Sequence, residues 1–346
     1  MGIILCSTDD LFKQMKMNNS KVTGAGFYVP ERVVTNDELS TMMDTSDEWI
    51  TERTGIKERH WFNPETDTVA NMSCKASVMA LEHAGIEADQ IDFIVFATIT
   101  PDYFFPGSGV LLQRELGLTD IPALDLRNAC SGFIYALSVA DQYIKTGMYK
   151  TVLVVGAEIQ SSALDLSDKG RNVSAIFADG AGAVILQASE EPGILSTHIH
   201  SDGRYAEELY IKDPGSSRKV RLDDEIIKSD SIRAHMNGRE VFKMAVLKFP
   251  EVILEALNAN NYEVDDIDLL IPHQANLRIS EFVRKSMKLD ESKVYNNIMR
   301  YGNTTAASIP IAFKEAWLEG RMKQGDLVCL AAFGSGYTWA SALIRI

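Results

Sequence analysis

Three residues of the sequence could together carry out nucleophilic acyl chemistry: Cys130, His273 and Asn303. Cys130 follows a short apolar segment, and apolar residues at helical spacing after it predict a helix that ends at Gly147. At the start of a helix, unpaired N–H groups and the positive end of the helix dipole favour a thiolate over a thiol. Small neighbouring residues leave backbone N–H groups free to receive an oxyanion. We therefore predict that Cys130 is a nucleophile rather than an inert buried cysteine.

An internal repeat indicates how the three residues could meet. Residues 80–92 and 256–268, offset by 176 positions, are identical at six of 13 positions. A similar offset of 173 carries Cys130 onto Asn303, which predicts that Asn303 occupies the same strand-to-helix junction in the second repeat. His273 directly follows a predicted strand of that repeat. If the two repeats pack about a pseudo-twofold axis, the junctions face each other and the three side chains converge.

A Cys–His–Asn set has two interpretations. In a papain-like protease the histidine is the base for the cysteine and the asparagine orients it. Alternatively, histidine and asparagine are two neutral donors aimed at one oxygen, as thioester chemistry requires. The second interpretation is favoured, because two separate loops present His273 and Asn303 and because the architecture is duplicated.

The elements around these residues alternate between strands and helices, which predicts a layered α/β architecture with buried sheets. We divide the chain into an N-terminal extension (1–20), a half that carries the nucleophile (21–189) and a half that carries the histidine and asparagine (190–346). Strands are predicted at 21–28, 91–98, 151–156, 183–187, 267–271, 326–332 and 340–346. Besides the helix after Cys130, helices are predicted at 71–84, 240–258, 275–287 and 306–319, and a polar loop at 161–172.

Composition excludes several classes of function. The 346 residues are 46% hydrophobic and 24% charged, which is typical of a globular protein, and carry a net charge of −14. That charge argues against nucleic-acid binding and against a polybasic membrane contact. No apolar run approaches the roughly 20 residues of a membrane span. Four scattered cysteines without metal-ligand spacing predict reduced thiols, no metal and a cytoplasmic location, and residues 1–20 resemble a loosely ordered extension rather than a signal peptide.

Four motifs, in order, resemble those of the β-ketoacyl-acyl carrier protein synthase III family. They are Asp44–Ile50 continuing to Arg53–Ile56, Ala129–Phe133, Pro272–Arg278 and Gly302–Thr304. The resemblance runs from about residue 21 to residue 346. It implies the thiolase fold, with two duplicated βαβαβ-type halves in an α-β-α-β-α arrangement, and a homodimer without a metal or redox cofactor.

The resemblance also implies a decarboxylative Claisen condensation that initiates fatty-acid synthesis. Cys130 would take an acyl group from an acyl-CoA. Malonyl-acyl carrier protein would then lose carbon dioxide, and its carbanion would attack the acyl-cysteine to give a 3-oxoacyl-acyl carrier protein. His273 and Asn303 would donate to the malonyl thioester oxygen, while the N–H groups of Cys130 and Ser335 would hold the tetrahedral oxyanion.

Further site residues follow from the resemblance alone. The residues implied for CoA are Thr45, Trp49, Arg53 and Asn276; for carrier-protein docking, Lys243 and Arg278, with Arg284, Lys285 and Lys288 extending a basic patch; and for the acyl pocket, Gln160, Phe333 and a Phe105 inserted by the dimer partner. Local basic residues would allow an acidic carrier protein to dock on an acidic chain.

Four positions depart from the family pattern. Lys169, in the run from Asp168 to Arg171, replaces an arginine expected to clamp the adenine, and a lysine cannot stack as a planar guanidinium does. Arg127 and Asn128 replace small residues before the cysteine, and Gln160 replaces an apolar one. These changes leave the acyl specificity open.

Other readings remain. Thiolases need a second active-site cysteine, and Cys329, inside a predicted strand, is poorly placed for it. Chalcone-type and hydroxymethylglutaryl-CoA synthases are further thiolase-fold alternatives. Chalcone-type enzymes share the Cys–His–Asn set but lack the surrounding motif residues seen in this sequence. A related acyltransferase with another primer or acceptor, or a non-catalytic subunit of a condensing complex, is also consistent with the fold, although the latter would be expected to lose a triad member.

Overall fold

The computed structural model describes residues 18–346. The extension predicted for residues 1–20 therefore lies almost wholly outside the described residues. Its last two residues already belong to the first strand. Ser20 is buried there, and its Oγ atom donates to the Asp141 carboxylate at 2.6 Å.

The described chain contains thirteen β-strands and eleven α-helices. The strands are β1 (Asn19–Tyr28), β2 (Arg32–Thr35), β3 (Glu58–Trp61), β4 (Phe93–Ala97), β5 (Ala123–Leu126), β6 (Thr151–Glu158), β7 (Gly180–Ser189), β8 (Ile194–Ser201), β9 (Leu209–Tyr210), β10 (His235–Met236), β11 (Leu269–Pro272), β12 (Leu327–Gly334) and β13 (Thr338–Arg345). The α-helices are α1 (Asn36–Ser40), α2 (Asp47–Thr54), α3 (Val69–Ala84), α4 (Ser108–Glu115), α5 (Gly132–Lys145), α6 (Arg171–Ser174), α7 (Asp224–Lys228), α8 (Gly238–Ala259), α9 (Leu277–Ser286), α10 (Ile298–Tyr301) and α11 (Ser308–Leu318).

The first large sheet has the strand order β1-β7-β6-β4-β5. Strand β4 runs parallel to β5 and β6, whereas β7 is antiparallel to β6 and β1. Every residue of β4 and β6 is buried, which accounts for their nearly continuous apolar sequences. The strand β5 lies at the edge of the sheet.

The second large sheet has the order β11-β12-β13-β8 and repeats the plan of the first. Its parallel pair, β11 with β12, is followed by two antiparallel pairs. An isolated parallel bridge joins Leu270 to Val294, where the first sheet pairs Ile94 with Ala123 in β5. The repeat seen in the sequence is therefore also a repeat of strand order.

The elements stack in five layers. Helices α5 and α11 lie between the two sheets and share one apolar core with both. Helices α3 and α4 cover the outer face of the first sheet, and α8 and α9 cover the outer face of the second. The central contact is close at Gly156, where a Cβ atom would lie 2.4 Å from the Ala306 carbonyl oxygen. Only glycine fits at that position.

Several elements were not predicted from the sequence. Strands β2 and β3 form a separate two-stranded sheet. Each is only four residues long, which is too short to show a clear sequence period. Helix α4 was also not predicted from the sequence. It forms because the Asp125 carboxylate accepts hydrogen bonds from the N–H groups of Ser108 and Gly109 at its first turn, and this contact spans 16 residues of sequence.

Candidate active site

Cys130 lies between β5 and α5, in a 3-10 turn of residues Ala129–Ser131. The predicted helix therefore starts two residues after the cysteine, and the turn itself forms the junction. Cys130 is buried, and the neighbouring Ser131 hydroxyl donates to the Thr338 carbonyl at 3.1 Å. This bond ties the nucleophile's turn to a strand of the second sheet.

Two backbone N–H groups face the sulfur atom of Cys130. They belong to Cys130 itself and to Ser335, the pair expected to form an oxyanion hole, and hydrogen bonds from both lower the pKa of the thiol. The loop can approach this closely because position 334 is a glycine. A Cβ atom there would lie 2.6 Å from the Cys130 Cβ and 3.1 Å from its Sγ.

The depression of the Cys130 pKa expected from the start of a helix is not observed. Burial raises the pKa of Cys130 to about 12, and the nearby Glu158 carboxylate adds to this effect. Desolvation of the thiolate outweighs the two N–H groups that favour it. The resting site therefore holds a neutral thiol.

Glu158 is a residue that the sequence analysis missed. It is the last residue of β6, a strand that is otherwise mostly apolar, and it is completely buried. Its carboxylate accepts hydrogen bonds from the hydroxyl groups of Thr98 and Thr100 and from the N–H groups of Ile99 and Thr100. Burial raises its pKa to about 7 despite these donors. A glutamate at the end of an otherwise apolar strand was the available signal.

His273 directly follows β11, as predicted, and is buried. Its Nδ1 atom lies 2.6 Å from the Oγ atom of Ser308, at the start of α11. Its Nε2 atom is buried and has no hydrogen-bond partner among the described residues. Burial lowers the pKa of the imidazole to about 3, so the ring is neutral.

The side chain of Asn303 is oriented by its own loop. Its backbone bridges to the segment before β7, donating to the Ile176 carbonyl and accepting from the Ala178 N–H group. Its Oδ1 atom accepts from the Thr305 N–H group at 2.9 Å. The Nδ2 group has no acceptor in the described part of the chain, so it is available to a ligand oxygen.

One contact brings the three residues into the same region. The turn that carries Cys130 packs against a second 3-10 turn, Thr305–Ala307, which begins two residues after Asn303. Ser308, which holds the His273 ring, is the next residue. The two strand-to-helix junctions therefore face each other, as the sequence repeat predicted.

Cys130 opens into a cavity of about 850 Å³. Gln160 lines this cavity and donates from Nε2 to the Thr305 hydroxyl at 2.9 Å. Phe105 does not line the cavity of its own chain, and 79% of its surface is exposed. Its neighbour Phe104 does line it, with the Arg221 guanidinium 3.2 Å from the ring centroid.

Phe333, predicted in the acyl pocket, lies elsewhere. Alternate residues of β12 face opposite sides of the sheet, and Phe333 packs under α8 and α9, against Tyr337. The structure therefore does not place Phe333 in the acyl pocket. Cys329 lies on the same outer face, and burial raises its pKa to about 12, so it is no second active-site cysteine.

The predicted CoA residues cluster around α2. The guanidinium carbon of Arg53 lies 4.5 Å from the centroid of the Trp49 ring. Asn276 donates from Nδ2 to the Arg53 carbonyl at 2.9 Å, and the buried hydroxyl of Thr45 has no partner among the described residues. Asn276 thus joins the second half of the chain to this surface.

The second cation at Trp49 is Arg171, not Lys169. The Arg171 guanidinium carbon lies 4.8 Å from the Trp49 ring centroid, and its Nη1 atom donates to the Asp44 carbonyl at 2.6 Å. Lys169 instead lines a small separate cavity with Asp165. Arg171, and not Lys169, is therefore the residue of this loop whose guanidinium contacts Trp49.

The predicted basic patch is smaller than expected. Lys243 is exposed and lies 3.2 Å from Glu240, and the Arg278 guanidinium lies 5.7 Å from the Phe242 ring centroid. These two cations share one surface of α8 and α9. Arg284 pairs with Glu281 at 2.9 Å and donates to the Leu289 carbonyl, and Lys285 also approaches Glu281. Arg284 and Lys285 are therefore paired within their own helix, as Lys243 is with Glu240.

Across residues 18–346, His, Cys, Asp and Glu side chains form no group of three that could hold a metal ion. None of the helices described for this chain is both long and apolar enough to cross a membrane.

Comparisons with known proteins cover almost the whole chain. A family model described as 3-oxoacyl-[acyl-carrier-protein] synthase III matches residues 124–203, and the model of the C-terminal part of that enzyme matches residues 257–346. The beta-ketoacyl-[acyl-carrier-protein] synthase III of Salmonella arizonae is 49% identical over 326 residues, which is 94% of this chain and 99% of that protein. The Escherichia coli K12 enzyme of the same name is 47% identical over the same shares.

A solved structure agrees with these sequence comparisons. The crystal structure of 3-oxoacyl-[acyl-carrier-protein] synthase III from Aquifex aeolicus overlays with a TM-score of 0.86 at 41% identity. The overlay covers 95% of this chain and 100% of that one.

Proposed function

Because the chain belongs to the β-ketoacyl-acyl carrier protein synthase III family, we propose that Cys130, His273 and Asn303 carry out its reaction. The chain is an acyltransferase with the thiolase-like α/β fold, and it condenses an acyl-CoA with malonyl-acyl carrier protein to initiate fatty-acid synthesis. The predictions of family, fold and reaction are thus confirmed. The observation that carries the assignment of the nucleophile is the pair of N–H groups facing the Cys130 sulfur.

In the first step the Cys130 sulfur attacks the thioester carbonyl of the acyl-CoA. A new carbon–sulfur bond forms, the bond to CoA breaks, and the thiol proton of Cys130 ends on the departing CoA sulfur. The N–H groups of Cys130 and Ser335 stabilise the oxyanion of the tetrahedral intermediate. Because the resting thiol is neutral, its proton must leave as the substrate binds or reacts.

In the second step the malonyl group loses carbon dioxide. The electrons of the broken carbon–carbon bond become the enolate of the thioester, and its oxygen accepts hydrogen bonds from His273 Nε2 and Asn303 Nδ2. Both groups lack partners among the described residues, and a neutral buried imidazole can donate without gaining charge. The enolate carbon then attacks the acyl-cysteine, and the released Cys130 thiolate takes up one proton.

We assign CoA binding to the surface around Trp49. Arg53 and Arg171 both contact the indole, so this surface offers aromatic and guanidinium planes on which an adenine ring can stack. Thr45 has a buried hydroxyl free to bind, and Asn276 supports Arg53. We assign carrier-protein docking to Lys243 and Arg278, whose charges would attract an acidic partner.

We propose a homodimer that forms along β5. This strand is the edge of the first sheet, and Leu124 within it is exposed, as are Val110, Phe104 and Phe105 nearby. A partner strand would satisfy the free edge, and the partner's Phe105 would reach the acyl cavity. The curated relatives are bacterial proteins, and Cys74, Cys130 and Cys329 are free, which supports a cytoplasmic location.

We also retain the proposed boundary between the halves at residues 189 and 190. It is supported by the strand composition, since the first large sheet draws on Asn19–Ser189 and the second on Ile194–Arg345.

The decisive experiment is mass spectrometry of the wild-type protein after incubation with acyl-CoAs. We expect one acyl group on the peptide that contains Cys130, and none in Cys130→Ser. His273→Ala and Asn303→Ala should still be acylated, while condensation falls by about 10²–10³-fold, the scale for removing one oxyanion donor. Failure of His273→Ala to accept an acyl group would make His273 a base, and condensation by Cys130→Ser would overturn the assignment of the nucleophile.

A further inference from the structure

The cavity of about 850 Å³ beside Cys130, here called the acyl cavity, carries a cationic side chain on its wall, that of Arg127. Among the described residues that line the cavity, Arg127 is the one Lys, Arg or His side chain. It lies on the connection from β5, three residues before Cys130, and both residues line the same cavity. Arg127 is an exposed residue, so its positive charge belongs to a solvent-accessible part of the cavity wall that Cys130 also lines.

The cavity's own carboxylates do not compensate this charge. Asp102 accepts from the N–H groups of Val69 and Ala70 at the start of α3. Asp213 pairs with Arg218 at 2.7 Å. The third lining carboxylate, Asp67, is held by Lys75 at 3.6 Å and by a backbone N–H group. Each acid already has its own partner on the cavity wall.

The guanidinium of Arg127 has no salt-bridge or hydrogen-bond partner among the described residues. Within residues 18–346 no carboxylate oxygen lies within 4.0 Å of its guanidinium, and no acceptor there receives a hydrogen bond from it. A guanidinium presents a rigid fork of N–H donors that matches a carboxylate in a bidentate pair. The free cation is therefore a ready-made binding group for an anionic end of a bound acyl chain.

Two neighbouring amides make the same wall polar. Gln160 uses its Nε2 atom on Thr305, which leaves its carbonyl oxygen without a donor among the described residues. The side-chain amide of Asn128 also lines the cavity and has no partner in the described chain. A purely hydrocarbon acyl chain would leave these polar groups without hydrogen bonds, which costs binding energy.

From these contacts we infer that the acyl cavity selects a carboxyacyl primer, whose terminal carboxylate binds Arg127 while its thioester carbon reaches Cys130. This inference rests on the proposed function of Cys130 as the acylated nucleophile. The chemistry of the transfer is unchanged, because the terminal carboxylate takes no part in bond making or breaking. Arg127 acts as a specificity-determining residue, with Gln160 and Asn128 as polar neighbours.

The test compares primers of equal length that differ only in the terminal carboxylate. Succinyl-CoA, glutaryl-CoA and adipyl-CoA are each paired with butyryl-CoA, valeryl-CoA and hexanoyl-CoA, and acylation of the Cys130 peptide is followed over time. We expect at least one dicarboxylic member to exceed its neutral counterpart by about tenfold or more in kcat/KM. Arg127→Gln should lower that value about 10²-fold while changing the neutral primers by less than about threefold. Arg127→Lys should recover part of the loss, and Arg32→Gln, which removes the charge of an exposed arginine in β2 outside the cavity, is the control.

The outcomes separate this inference from the proposed function. If no primer of either kind modifies Cys130, the proposed function fails. If only neutral primers react, the inference is wrong and the function stands. An equal loss for both kinds in Arg127→Gln, with dissociation measured by light scattering, would show that Arg127 serves the subunit contact and would overturn the inference. A raised KM for malonyl-acyl carrier protein with unchanged acylation would show that Arg127 binds the malonyl carboxylate, which also overturns it.

Discussion

The Nδ1 atom of His273 lies 2.6 Å from the Oγ atom of Ser308, so this hydroxyl can select the tautomer of the ring. The N–H group of Gln274 donates to the same oxygen at 3.4 Å, and the arrangement in which the Ser308 hydroxyl gives its own proton to Nδ1 is the one that the proposed reaction requires. The neutral ring then holds its proton on Nε2, the atom left free for the enolate.

Ser308→Ala should therefore impair condensation more than acylation. Without the hydroxyl, the neutral ring can place its proton on Nδ1, and Nε2 then becomes an acceptor that repels the enolate oxygen. We expect condensation to fall by about tenfold or more, with acylation of Cys130 within about twofold of wild type. The measurement is acyl-enzyme formation by mass spectrometry alongside release of carbon dioxide from malonyl-acyl carrier protein.

The control for this substitution is Ser77→Ala, which removes a buried serine hydroxyl bonded within α3, far from the site. It should change stability by a similar amount and leave both steps intact. Equal losses of acylation and condensation in Ser308→Ala would mean that the serine acts only through folding.

Arg171→Ala should weaken binding of acyl-CoA, and Lys169→Ala should not. The guanidinium of Arg171 lies 4.8 Å from the Trp49 ring, whereas Lys169 lines another cavity. Loss of a cation–π partner predicts a KM for acyl-CoA raised about threefold to thirtyfold. An acyl-pantetheine substrate, which has no adenine, should be used equally well by both variants and by wild type. Equal effects of the two substitutions would show that the adenine is held elsewhere.

Lys243→Glu and Arg278→Glu should raise the KM for malonyl-acyl carrier protein and leave acylation by acyl-CoA nearly unchanged. Both cations are on the exposed surface of α8 and α9, and reversal of their charge repels an acidic carrier protein. We expect about a tenfold effect at low salt that shrinks as ionic strength rises. Lys285→Glu, which reverses an exposed charge outside the proposed docking pair, is the control and should have a smaller effect. An equal loss with both substrates would assign Lys243 and Arg278 to structure instead.

Glu158→Gln should increase the reactivity of Cys130 above neutral pH. Because burial raises the pKa of Glu158 from 4.5 to about 7, the folded state binds its proton more tightly than the unfolded chain does. The contribution of this group to stability therefore falls as pH rises from about 4.5 to 7, and above that range the buried negative charge also raises the pKa of Cys130. Removal of the charge should lower the pKa of the thiol.

Two measurements check this prediction. Iodoacetamide modification of the Cys130 peptide should be several-fold faster in Glu158→Gln than in wild type at pH 8, with no difference at pH 5.5. Urea unfolding should show a smaller loss of stability between pH 5 and pH 8 in the variant, by roughly 1–3 kcal/mol. Identical pH profiles for the two proteins would contradict the coupling between Glu158 and Cys130.

Phe105→Ala should widen the range of accepted acyl chains if the partner's aromatic ring closes the cavity. The side chain is exposed in its own chain and does not line its own cavity. The test mixes Phe105→Ala subunits with Cys130→Ser subunits. In the mixed dimer the one active cysteine faces a wild-type Phe105, so the narrow preference should persist. A broadened preference there would mean that Phe105 acts in its own subunit.

The sequence alone determined the architecture and identified the three residues proposed to carry out the reaction. Strand and helix periods are local, and the motifs around Cys130, His273 and Asn303 are contiguous, so they could be recognised without coordinates. The repeat offset placed Asn303 at the junction equivalent to that of Cys130, and the facing turns agree with it.

The tertiary structure decided how those residues are controlled. The bond from Ser308 to His273 spans 35 positions, and the approach of Glu158 to Cys130 depends on how β6 packs beside the nucleophile's turn. Arg171 contacts Trp49 although they lie 122 positions apart in the sequence. Phe333 packs in the core under α8 and α9 because alternate residues of β12 lie on opposite faces of the sheet. Protonation and substrate contact depend on distances, burial and the face of a sheet, and these arise only when segments far apart in the chain pack together.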